Sequence, residues 1–269
     1  MSVTSPLSGL VNDAVKKAAN SLARDFNELE KLQSSIKDFK GFVAAGYGKV
    51  ERELKKELGK IRPDWAFKQL GKPAPKGAYF VISPIDGIDN FARAIPYFAI
   101  SVTVCNNGDL ICGCIYNPIT DELFFAEKGK GAFKEGLRSS ERLRVSGNKD
   151  IRNALIASNV TFKKTISEYT DLHNKIISAT SNVRVFGSVS LDLANLAAGK
   201  LDAVLSLNNQ ADDIMAGLLI VKEAGGYVYD ISQKDLNLDD INLVLESGDL
   251  FAVNANLNKK VYDIVIRNS

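Results

Sequence analysis

The chemistry-bearing residues of this 269-residue chain concentrate in two places: Ser83-Pro84-Ile85-Asp86-Gly87-Ile88-Asp89-Asn90-Phe91, and the distant pair Asp212-Asp213. Ala78–Ile82 reads as a short buried strand, rich in β-branched and aromatic side chains. Pro84 and Gly87 are expected to stop that strand and force a turn. The Asp86 carboxylate then sits at a strand end, where open α/β sheets bind their ligands. Asp213 precedes Ile214–Ala224, an apolar run of helical spacing. Asp86, Asp213, Asp89 and Asp212 are the acids of these two stretches. Each has an ordinary role open to it. Asp86 suits a turn, Asp213 suits a helix N-cap, and Asp89 and Asp212 suit exposed loops.

Several elements must position these acids. Pro6–Glu30 carries Leu10, Val11, Val15, Ala18, Ala19, Leu22 and Phe26 at intervals of three and four, which predicts a helix. Val43–Leu58 predicts a second helix with a solvated Lys/Glu face. Lys72–Lys76 reads as a loop. Strands are predicted over 79–82, 99–106, 110–117 and 123–127, with Asn107-Gly108 as a hairpin turn and Gly129–Phe133 as another turn into a strand. Beyond these come a strand over 154–160 and a helix over Thr165–Ala179. That helix carries His173, the single histidine, read as helix surface. Arg184–Gly187 predicts a short strand and turn, Ser190–Ala198 a helix closed by Gly199, and 201–207 a strand. The helix over 214–224 ends at Gly225-Gly226. Strands over 227–229 and 251–254 and a helix over Lys259–Arg267 complete the chain.

Helices and hairpins are mixed, with no internal repeat or free linker. This predicts an α+β (mixed α/β) class as a single unit over 1–269, with an N-terminal α+β half to about 145 and a C-terminal α/β half from about 146. The composition, 45% hydrophobic and 25% charged, is that of a globular protein with a core. A net charge of +2 gives no nucleic-acid signal. Cys105, Cys112 and Cys114 suggest packing thiols, not a disulfide framework. No apolar stretch approaches the ~18 residues of a membrane span, and no signal core is present. A cytoplasmic location and no membrane partner are expected.

Five segments in order resemble the inositol monophosphatase superfamily, most closely its bacterial SuhB-like branch. They are SPIDGIDNF (83–91), AIPYFAISV (94–102), GCIYNPITDELFFAEKGKGAF (113–133), RVFGSVSLDLANLAAGKLDA (184–203) and ADDIMAGLLIVKEAGG (211–226). The resemblance implies a layered α-β-α-β-α sandwich, a homodimer, and Mg2+-dependent hydrolysis of a phosphomonoester. Mg2+ demands a near-octahedral oxygen shell, orients a water and neutralises the leaving oxygen. In the family the oxygens come from a Glu pair ahead of the signature strand, both Asp of D-P-[IL]-D-G-T-x-N-F, and the Asp of W-D-x-x-A-G. The signature Thr and an Asp on the second helix position the water.

Position by position, this chain departs from that pattern. The second-helix acid falls at Gly46-Tyr47 and the Glu pair near Leu70-Gly71, with no acid anywhere from Trp65 to Ile85. The first signature Asp is Ser83, the Thr is Ile88, the Trp of W-D is Asp212, and a substrate-binding Glu falls at about Ser206. Asp86 and Asp213, with the Ile85 backbone, remain as residual metal positions. Gly87, Ile88, Arg184, Gly187 and Ser188 fall at substrate-binding positions, and Asn90 is retained. The apolar frame (Phe98–Val104, Leu218–Ala224) is intact.

The resemblance thus implies a folded, homodimeric family member that has lost Mg2+-dependent phosphomonoesterase activity and acts by binding. SuhB relatives are associated with transcription complexes and ribosomal RNA regulation, so a transcription-complex protein is the implied partner. A second reading is a residual or altered Mg2+-dependent inositol or sugar phosphate phosphatase using Asp86 and Asp213, with Asp89 or Asp212. A third is a binder of a small phosphorylated ligand in the old pocket.

Overall fold

Residues 5–32, 39–69, 71–136, 140–160, 166–180, 182–232 and 241–265 are described by a computed structural model of the chain. The apolar stripe near the N-terminus forms α1 (Pro6–Leu32), which buries Val11, Val15, Ala18, Leu22, Phe26 and Leu29. It packs beside α2 (Phe39–Ile61). The strands β1 (Ala66–Phe67) and β2 (Ala78–Asp86) follow, then the short α3 (Ile88–Ala92), β3 (Ala99–Asn106), β4 (Asp109–Asn117), β5 (Glu122–Glu127), β6 (Gly131–Lys134) and β7 (Glu141–Arg142). β1 to β7 lie side by side in chain order, antiparallel except for the β1–β2 pair.

The second half contributes β8 (Leu155–Val160), α4 (Ile166–Ala179), β9 (Asn182–Arg184), α5 (Val189–Ala197), β10 (Ala203–Leu207), α6 (Ala211–Glu223), β11 (Tyr227–Asp230), α7 (Ile241–Ser247), β12 (Leu250–Val253) and α8 (Asn258–Val265). Its five strands take the order β11-β12-β10-β8-β9, parallel around β8 and antiparallel around β12.

Strand alternation sorts the side chains into three cores. Phe80, Ile82, Ile100, Val102, Cys112 and Cys114 face α1 and α2. Tyr79, Val81, Ala99, Ile115 and Phe124 face α5 and α6, which also meet Val204, Val228 and Ala252 of the second sheet. Ile156, Ala203, Leu205, Tyr229 and Phe251 face α4 and α8. The result is an α-β-α-β-α sandwich. Each fully buried Phe, such as Phe80 or Phe98, contributes roughly 1.5–3 kcal/mol of transfer free energy. All three cysteines are free and buried. No helix among the described residues is long and apolar enough to cross a membrane.

Three expectations are corrected. Pro84 does not end the strand, because β2 runs through it to Asp86. The register shifts between Ser83 and Asp86, which oppose Ser101 and Ala99, so β2 carries one extra residue there. Such a bulge tolerates proline, since it breaks the ladder locally. It also inverts the alternation: Ile85 packs with the α1/α2 core, and Asp86 turns inward to meet α5. Second, β1, β7, α3 and α7 were not expected, being too short to show a period. Third, α6 begins at Ala211, so Asp213 lies inside its first turn and Gln210 is the cap residue. Thr165 and Arg267, expected helix ends, lie outside the described residues.

Candidate functional site

The bulge in β2 and the first turns of α5 and α6 converge on a cavity of about 460 Å3. Ile85, Asp86, Gly87, Ile88, Asp89 and Asn90 line it from one side, Gly187 and Val189 from a second, and Asn208, Asn209, Gln210 and Asp213 from a third. Gly87 is required by geometry: its φ is +86°, and a Cβ would stand 3.0 Å from the Tyr97 carbonyl and 3.2 Å from that of Gly187. The Asn90 amide donates to the carbonyls of Tyr97 and Phe186, each at 2.7 Å, tying the β2 turn to the segment that enters α5.

Asp86 is buried, and its Oδ2 accepts from the Ser188 hydroxyl and the Ser190 amide, both at 2.7 Å. Ser188 also N-caps α5, accepting from the Leu191 amide at 3.4 Å. Burial pushes the Asp86 carboxyl above the usual carboxylate range, against the hydrogen bonds from Ser188 and Ser190. Asp213 accepts at Oδ1 from the Ser83 hydroxyl, 2.5 Å away. Burial pushes the Asp213 carboxyl up to about 7; neighbouring Asp86 adds to the rise and the Ser83 hydroxyl opposes it.

The cavity thus gathers Ile85, Asp86, Gly87, Ile88, Gly187 and Asp213, with Ser83 and Ser188 hydrogen-bonded to its buried acids and Asp89 exposed at its rim. Other expected site residues lie elsewhere. Asp212 does not join the cation candidates: its Oδ1 accepts from Lys68 Nζ at 2.6 Å, and both side chains are largely buried. Arg184 is exposed on β9, its guanidinium bonded to the Val183 carbonyl, and it does not line the cavity. Tyr47 lines an adjoining groove between α2 and α3. Its phenol is raised by burial, with Glu51, Asp213 and Asp212 adding to the shift, which places it near the acids. Leu70 lies outside the described residues. Ser206 is buried and donates to Asn209 Oδ1 at 2.7 Å. His173 is half-buried on α4, with Nδ1 3.5 Å from the Ser158 hydroxyl. Among the described residues no three His, Cys, Asp or Glu side chains gather as metal ligands.

Sequence reasoning missed Asp192, Asn159 and Lys68. Asp192, fully buried on α5, accepts from the Tyr97 hydroxyl at 2.6 Å and from the Asn159 amide. Burial pushes its carboxyl up to about 7, opposed by those two donors and assisted by Asp86. The available signal was a single acid within the otherwise uncharged run 185–199.

These shifts have a signed consequence. Folded Asp192 and Asp213 keep their protons to about pH 7, whereas their ordinary value is 3.8. Between those values the folded state binds more protons, so the stabilisation is complete below 3.8 and is lost as pH rises to about 7. The thermal midpoint should therefore fall between pH 5 and pH 8, and Asp192→Asn should flatten that fall. An unchanged slope in the variant would contradict the assignment.

A five-layered sandwich with its acids at a bulged strand end and in the first turns of two helices is the architecture that the resemblance implied. The model of the inositol monophosphatase family matches residues 4–266, and this chain belongs to that family. The inositol-1-monophosphatase of Caulobacter vibrioides is 34% identical over 258 residues, covering 93% of this chain and 97% of that one. The Nus factor SuhB of Vibrio cholerae is 30% identical over 250 residues, covering 90% and 91%. The crystal structure of the extragenic suppressor protein suhB from Bartonella henselae superposes with a TM-score of 0.83 at 31% identity, covering 98% of this chain and all of that one. Relatives thus carry both inositol-1-monophosphatase and Nus factor names, and membership does not choose between them.

Proposed function

We propose that this chain is a non-catalytic, SuhB-like member of the family that acts by binding, as a cytoplasmic homodimer, on a protein of the transcription or ribosomal RNA machinery. The observation that carries the reading is the partner of Asp213, which is a serine hydroxyl at position 83 and not a second carboxylate. Mg2+ needs a near-octahedral oxygen shell. Here one oxygen of Asp86 is already held by two protein donors, and Tyr47 and Ile88 stand near the cleft with no carboxylate or small hydroxyl to offer. The residues present do not fit the ion. A unit charge pair about 4 Å apart contributes about 4 kcal/mol at an effective dielectric near 20, so each lost carboxylate removes orders of magnitude of affinity.

Phosphate release from inositol monophosphate at millimolar Mg2+ is expected to stay at the background rate, and a pull-down should recover a transcription or ribosomal component. Recovery of neither class would sink the binding role. The second reading, a residual phosphatase, is favoured by Asp86 and Asp213 lining one cavity and by the 34% identity to the inositol-1-monophosphatase of Caulobacter vibrioides. Turnover abolished by Asp86→Ala and by Asp213→Ala would establish it in place of the first.

A further inference from the structure

If the cleft holds no metal, its own side chains decide the charge of what it accepts; this inference rests on that reading. The 460 Å3 cavity is lined by Asp86, Asp89 and Asp213 and, among the described residues, by no Lys, Arg or His. Two of the first amides of α5 are already used, that of Ser190 by Asp86 and that of Leu191 by Ser188. Asp213 spends Oδ1 on Ser83, and among the described residues its Oδ2 takes no hydrogen bond. Asp89 is exposed and has neither a hydrogen bond nor an ion pair among the described residues. An anion such as a phosphomonoester therefore meets three acids and, among the described residues, no basic side chain.

A groove of about 720 Å3 adjoins the cavity and shares Ile88 and Asp89 with it. Its wall is apolar, formed by Val43, Ala44 and Tyr47 of α2 and Ala92 of α3. Ile88 and Tyr47 are 43% and 36% exposed, large apolar surface beside a buried acid. The basic residues Lys40 and Arg93 border the groove and not the cavity. The surface thus runs from apolar with basic margins to acidic, and charge complementarity fixes the direction of an occupant.

We propose that cavity and groove form one docking surface for a protein segment bearing an arginine or lysine beside a bulky apolar residue. The cationic side chain enters the cavity toward Asp213 and Asp89, where a guanidinium can donate to both carboxylates. The apolar side chain covers Tyr47 and Ile88, and the water it excludes strengthens the charge pairing.

The test is titration of the full chain, in metal-free buffer, followed by 1H–15N NMR. The probes are N-acetyl-Phe-Arg-amide, N-acetyl-Phe-Glu-amide, butylguanidinium and inorganic phosphate. The Arg peptide should give saturable shifts at Ile88 and Asp89 and bind at least about tenfold more tightly than the Glu peptide, as charge-assisted pairing requires. Asp89→Asn and Ile88→Thr, both at exposed positions, should each weaken it several-fold without lowering the thermal midpoint. Equal affinity for the two peptides, saturable phosphate binding, or an unaffected Asp89→Asn variant would overturn the proposal. Butylguanidinium binding as tightly as the Arg peptide would replace a docking segment with a free small cation. An inactive protein that ignores the Arg peptide fails this inference alone, whereas Mg2+-dependent turnover fails the non-catalytic reading whatever the peptide does.

Discussion

Replacing Ser83 with aspartate should make the stability of the protein depend on Mg2+. Ser83 is 3% exposed and its hydroxyl lies 2.5 Å from Asp213 Oδ1, with Asp86 lining the same cavity. A carboxylate there removes a hydrogen bond to a charged group, about 1.5–3 kcal/mol. It also adds repulsion that reaches about 4 kcal/mol for unit charges 4 Å apart at an effective dielectric near 20. Partial protonation of the acids relieves some of this. A net loss of about 3 kcal/mol lowers the midpoint by on the order of 10 °C in a chain of this size. Three convergent carboxylates then offer a site that two do not. At ten times its Kd, Mg2+ returns about 1.4 kcal/mol, or roughly 4 °C. Scanning calorimetry of parent and variant, in chelator and in Mg2+, checks this. A midpoint that ignores Mg2+ in the variant, or rises with it in the parent, would count against the account of the cleft.

The second large effect is steric. Gly113 of β4 lies directly beneath α6, where a Cβ would meet the Ala216 Cα at 3.0 Å and its carbonyl oxygen at 3.1 Å. These are backbone atoms, so relief requires α6 itself to shift. On its other side α6 is pinned at Gly217, whose Cβ would fall 2.7 Å from the Leu193 Cβ. Gly113→Val is therefore expected to cost about 3 kcal/mol or more, at the upper end of overpacking effects. It should also displace Asp213, which α6 carries. Gly59→Ala, where a Cβ meets nothing within 4 Å, is the control and should stabilise by up to about 1 kcal/mol. Denaturant unfolding of the pair measures both. A Gly113→Val protein as stable as the parent would mean that the helix–sheet contact is looser than described.

What was legible in the sequence was local. The three-and-four spacing from Val11 to Phe26 marks α1, because a helix one turn deep in apolar core must repeat that way. Asn107 and Gly108 marked the β3–β4 hairpin, and both adopt positive φ, 50° and 91°. The bulge was not legible, since proline and glycine ordinarily end strands and only the partner strand reveals the extra residue. The site was legible as a set of positions but not as a set of contacts. Asp212 looked like a spare cation ligand until Lys68, 144 residues away in sequence, was found on it. Asp192 carries no local signature, and its burial depends on Tyr97 and Asn159, which the sheets bring to it.

Calorimetric titration of the full chain with Mg2+ is the most direct measurement of the central claim. The account predicts only heats of dilution through millimolar concentrations, because two partly satisfied carboxylates and a serine do not make an octahedral oxygen shell. A saturable heat with a millimolar or tighter Kd, lost in Asp213→Ala, would contradict it and return the cleft to metal chemistry.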